Sequence, residues 1–119
     1  MSDQLDERLK RVRSELQAAY TQLEQIRPLN TFAEKKLDLW RARCRLEFAI
    51  LLIKISSNID SEDRRVRYTM DGEPQKILAK VLDFIADTLN SPITTNIYVV
   101  LEKVRKARDL LWLLESKKL

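Results

Sequence analysis

The chain has no histidine, a single glycine, a single cysteine and three prolines among 119 residues. Each scarcity removes something. Without histidine, the commonest general base and the commonest zinc ligand are gone. Neither a Ser-His-Asp nor a Cys-His catalytic arrangement can be built, and the Glu-x-x-His pattern of di-iron bundles is excluded on the same ground. One glycine cannot make a glycine-rich phosphate loop. It also argues against a sheet protein with many turns, since glycine is ordinarily about 7% of a globular chain. Long helices tolerate the shortage, because Gly and Pro weaken helix interiors. Cys44 has no partner for an internal disulfide, so a reducing, cytoplasmic setting is expected. Arg43 and Arg45 adjoin it, but neighbours at i±1 point to different helix faces, and Cys44 reads as a small apolar residue. The longest apolar run, Phe48 to Ile53 between Glu47 and Lys54, is far short of the ~20 residues of a membrane span. The opening Met1-Ser2-Asp3-Gln4 lacks the basic and then apolar leader of a secreted chain.

Hydrophobic residues make up 45% of the chain and charged residues 34%, a balance that fits a packed helical protein rather than a disordered one. The length suits a single helical domain, residues 1–119. Its clearest feature is a ladder of Leu5, Leu9, Val12, Leu16, Ala19, Leu23 and Ile26, stepping by four and three. That is the seam of a helix packed along its length against other helices. The spacing predicts a first helix over Asp3–Ile26, ended by Arg27-Pro28. A second begins at Thr31, with Glu34 three residues on to form a capping box. It carries Leu37, Trp40, Cys44, Phe48, Leu51, Leu52 and Ile55 as one apolar set, with Leu39, Leu46, Ile50 and Ile53 as another. A helix apolar on most sides is expected to be buried on most sides, so its C-terminal half reads as central to the core or as a subunit interface. Trp40 is expected in the core.

The helical period stops over Asp60–Glu73, which reads as a long, charged, exposed loop. Val66, Tyr68 and Met70 alternate there as a short extended piece would. Pro74 suits the first turn of a third helix, striped by Ile77, Val81, Phe84, Ile85 and Leu89. Asn90-Ser91-Pro92 breaks the chain, and a fourth helix runs over Ile93–Ser116 with Val100, Val104, Ala107, Leu111 and Leu114 inward. The expected fold is all-α: an antiparallel four-helix bundle with one long charged loop between helices two and three.

Carboxylates Asp60, Glu62, Asp63, Asp71 and Glu73 gather around that loop, but their spacing matches no calcium loop, and Arg64, Arg65 and Arg67 among them neutralise them more cheaply. No metal, cofactor or small-molecule substrate is called for, and enzyme activity is not expected. The charge that remains is basic, net +4. Residues 31–58 and 91–119 each carry six basic and three acidic side chains. Lys35, Lys36, Arg41 and Arg45 on helix two, with Lys103, Arg105, Lys106 and Arg108 on helix four, are the candidates for a phosphate-backbone stripe if their faces align. Surplus apolar surface is the second signal. Ile50, Ile53, Leu110, Trp112 and Leu113 are the candidates for a protein interface, whereas Leu111 and Leu114 belong in the core.

The size, helical content and basic surface resemble, in shape alone, small helical accessory subunits of nucleoprotein complexes. The reading is a non-enzymatic helical adaptor that docks onto a protein partner, or onto a further copy, within a nucleic-acid-processing complex. The alternative is a sequence-nonspecific DNA- or RNA-backbone binder acting alone or as a homodimer.

Overall fold

The N-terminal ladder folds as one unbroken helix. In the computed structural model, α1 spans Ser2–Ile26, α2 Lys36–Ser56, α3 Pro74–Asn90 and α4 Ile97–Ser116. The structure describes residues 2–26, 35–57, 66–91 and 97–116, and of residues 2–6 only the helical path. No strand occurs among the described residues. The proposed capping box at Thr31 and Glu34, the stop at Arg27-Pro28 and the start at Ile93 lie outside them. The described part of α2 begins at Lys36, where Lys35 supplies no side-chain cap.

The helices assemble as a bundle. α1 packs on α2 and α3, and α4 packs on the same two. Between them lies one contiguous core. Leu16, Ala19 and Leu23 of α1, Ile77 and Leu78 of α3, and Ala107, Leu111 and Leu114 of α4 are fully buried. The three-four spacing delivers them to one face of each helix.

Gly72 has φ +135°, a backbone region that side-chain-bearing residues rarely adopt. It turns the chain into α3. The Glu73 carbonyl then accepts the Lys76 and Ile77 amides at 3.0 and 3.1 Å, and Pro74 sits at the helix start, where its missing N–H costs nothing. Of the charged segment before it, residues 66–73 are neither helix nor strand, and residues 58–65 lie outside the described residues. Tyr68 and Met70 are half-buried against the core, while Val66 is almost fully exposed. The alternation thus turns inward at Tyr68 and excludes Val66. We call residues 66–73 the strap.

α2 departs from expectation. Its core face is Leu39, Ala42, Leu46, Ala49, Ile50 and Ile53. Leu37, Trp40, Phe48, Leu51 and Ile55 point outward, each keeping between 43% and 57% of its surface exposed. Trp40 is therefore not a core residue, and α2 is not buried on most sides. The reason is geometric: α2 has α1 and α4 as its main neighbours, and two neighbours cover one face. The set at 39, 42, 46, 49 and 53 steps by three and four without a break, and its two alanines let the backbones approach closely.

The two faces predict opposite costs. Leu46→Ala should lower the stability measured by urea unfolding by about 2–5 kcal/mol. Leu51→Ala should change it by less than about 1 kcal/mol.

Candidate functional site

The outer face of α2 is built from residues that share one side of a helix. At 100° per residue, positions 37, 40, 44, 48, 51 and 55 fall in a single band opposite the buried set. Cys44 sits half-buried within it. Around this band stand cations. The Arg11 guanidinium of α1 lies 5.6 Å from the centre of the Phe48 ring and pairs with Glu15 at 3.2 Å. Arg45 reaches the same Glu15 at 3.1 Å. Arg41 stands 3.9 Å from Asp38.

Sequence reasoning proposed other residues for a protein interface. Ile50, Ile53 and Leu110 lie within the protein's own core, exposed by no more than 6%, so they have no surface to offer. Each continues the inward stripe of its helix, and that stripe was filled first. Trp112 and Leu113 are half-buried, with Leu113 packed against the core.

The eight candidate phosphate-binding cations stand in different surroundings. Arg105 is buried and bonded to Glu102 at 3.1 Å. Arg108 donates twice to Asp109, at 3.0 and 3.2 Å. Lys106 stands over the rings of Tyr68 and Phe84, 5.4 and 5.9 Å from their centroids, on the strap side of α4. Lys103 is half-buried. On α2, Lys35 lines a small cleft with Gln22, Gln25, Ile26 and Asp38, Lys36 is half-buried, and Arg41 and Arg45 are exposed. The two helices are tied together by Arg43, whose guanidinium donates to Glu115 at 2.6 and 3.3 Å. From Glu115 the α4 cations are displaced by roughly 10–18 Å along the axis, at 1.5 Å per residue.

Burial works to lower the Arg43 pKa, but the hydrogen bond and charge of Glu115, with Glu47 at 3.2 Å, outweigh it and hold the pKa above its ordinary value. For a cation, a raised pKa means that the stabilisation is complete at neutral pH and fades only above the ordinary arginine range.

A second feature joins the strap to α4. The Tyr68 amide donates to Asp109 Oδ2 at 3.0 Å, and Asp109 is buried. The Tyr68 ring meets Phe84 edge-on, with centroids 5.8 Å apart. Arg67 lies 3.3 Å and Arg43 4.8 Å from the centre of the Trp112 ring. A cleft of about 210 Å³ opens there between Arg67, Tyr68, Asp109, Trp112, Leu113 and Ser116. It is smaller than the ~300–1,000 Å³ usual for a ligand site. The described residues contain no cluster of three or more potential metal-ligating side chains, and Asp60, Glu62 and Asp63 lie outside them. No helix among the described residues is long and apolar enough to cross a membrane.

No protein-family model, curated protein or solved structure matches the chain. The weight therefore falls on the two features just described.

Sequence reasoning missed Asp109 and the outward direction of the larger α2 stripe. The signal for the stripe was Ala42 and Ala49, small residues at core spacing. The signal for Asp109 was a carboxylate directly abutting the most apolar turn of α4. Asp109→Ala is expected to release the strap. Urea unfolding should show a loss of about 1–3 kcal/mol, the usual cost of leaving a buried donor unpaired. Limited trypsin digestion should cut faster after Arg67.

Proposed function

We propose that this chain is a non-enzymatic helical adaptor or accessory subunit, a single antiparallel four-helix bundle that docks onto a protein partner through the outer face of α2. Its setting is the cytoplasm, within a nucleic-acid-processing complex. The observation that carries this reading is the outward band of Leu37, Trp40, Phe48, Leu51 and Ile55. Contiguous apolar surface of this kind marks an interaction site, and an aromatic pair within it supplies the large anchors that dominate binding energy. The antiparallel direction is supported by the pairing of Arg11 with Phe48 and of Glu15 with Arg45, since the α2 number rises as the α1 number falls. The basic surplus of α2 and α4 supports a nucleoprotein setting.

The rival, a phosphate-backbone binder working alone, has no comparable observation. Arg105 is buried and Arg108 half-buried, each held by an acid of its own helix.

Affinity capture from native extract, with and without nuclease, tests the reading. The wild-type chain is expected to retain a protein after nuclease treatment, and the double variant Phe48→Gln, Leu51→Gln should lose it while unfolding at the same urea concentration. Capture that disappears with nuclease, or that ignores the double variant, would refute docking through α2.

A further inference from the structure

The band on α2 has a shape and a charge that narrow what can cover it. It runs from Leu37 to Ile55, which at 1.5 Å per residue is roughly 27 Å, or five helical turns. Its positions 37, 40, 44, 48, 51 and 55 recur at three- and four-residue steps, the spacing that a helix laid alongside would match. Its border is asymmetric in charge. Arg11, Arg41 and Arg45 stand out from it, with side chains 62%, 56% and 46% exposed. The carboxylates that pair with them lie lower. Glu15 is 13% exposed and Asp38 33%. On the other edge of the band the order reverses, with Glu47 39% and its partner Arg43 14% exposed. Lys36 and Lys54 border the same band by helical spacing. On the edge that faces α1, where Arg11, Arg41 and Arg45 stand, a body resting on the band therefore meets cations first.

That arrangement bears on a second copy of this chain. Two such faces brought together antiparallel would set the arginine edge of one against that of the other, and like charges at a rim oppose association. An occupant with carboxylates beside its apolar seam meets the opposite situation: each projecting guanidinium can take a carboxylate in a two-pronged bond. Opposite charge at the border also selects one partner over another of equal greasiness.

We propose that the outer face of α2 receives an amphipathic helix of about five turns whose apolar seam is flanked by Asp and Glu. This rests on the docking role proposed above and adds the chemistry of the partner. The apolar anchors are Leu37, Trp40, Phe48, Leu51 and Ile55. The selecting charges are Arg11, Arg41 and Arg45. Phe48 and Arg11 act together, because the guanidinium stands 5.6 Å from the ring centre and brings a positive charge beside the apolar anchor.

Two synthetic helical peptides of about twenty residues make the test, identical in a leucine seam and differing only in flanks of Glu or of Lys. Fluorescence anisotropy against the full chain at low salt should give binding on the order of micromolar for the Glu peptide and at least roughly tenfold weaker binding for the Lys peptide. Added salt should narrow the gap between them. Phe48→Gln with Leu51→Gln should weaken the Glu peptide by roughly tenfold or more, and Arg41→Gln with Arg45→Gln should shrink its advantage over the Lys peptide. Circular dichroism of each variant keeps loss of fold apart from loss of binding. Equal affinity for the two peptides, no binding of either, or self-association of the full chain in sedimentation velocity that Phe48→Gln with Leu51→Gln abolishes, would each overturn the acidic-helix assignment. Equal affinity or self-association would leave docking through α2 standing. Absence of peptide binding together with capture that ignores the double variant would defeat both.

Discussion

A helix in a ring of four has two principal neighbours and can hide only the side turned toward them. That limit governs this protein. α1, α3 and α4 each present their main apolar stripe inward, and the limit costs them little. α2 carries two apolar sides, and only one can be served. The side with Ala42 and Ala49 wins, since close approach of backbones improves contact along the whole helix. The side with Trp40 and Phe48 is left outside.

Magnitudes say what the outer side is worth. Full burial of a large apolar side chain stabilises by about 1.5–3 kcal/mol. Half of that for each of the five half-exposed residues leaves on the order of 5 kcal/mol to be gained by covering them. Association itself costs an estimated 4–15 kcal/mol in lost freedom. The band alone is then near break-even, and contacts at its border decide whether a given partner stays. On the proposed docking, the charged groups beside α2 would set selectivity and the apolar ones supply the common driving force.

Much of the architecture is legible in the amino-acid sequence. Leu16, Leu23, Leu111 and Leu114 announced their burial through spacing, because a 3.6-residue period leaves no choice of face when one side is polar. Pro74 announced the start of α3. α2 defeated the same logic. With apolar residues on both sides the period no longer selects, and reading by size alone favoured Leu37, Trp40 and Phe48 over a stripe completed by two alanines. Ile50, Ile53 and Leu110 fall to the same ambiguity: by pattern they look like surplus apolar surface, and by packing they are core. Asp109 and the Arg67–Trp112 contact were illegible, since they join the strap to a helix some forty residues away in sequence, and no local pattern encodes such a meeting. The Arg43–Glu115 bridge was hidden likewise: both residues are ordinary helix-surface charges until the packing of α2 on α4 brings them together.

Cys44 gains an unplanned use from where it lies. The chain's lone thiol sits between Trp40 and Phe48 in the outward band, half shielded by its larger neighbours. Whatever lies across those rings also lies across the sulfur. The rate at which a small alkylating reagent consumes that thiol is thus a label-free gauge of occupancy, internal to the molecule and needing no engineered tag.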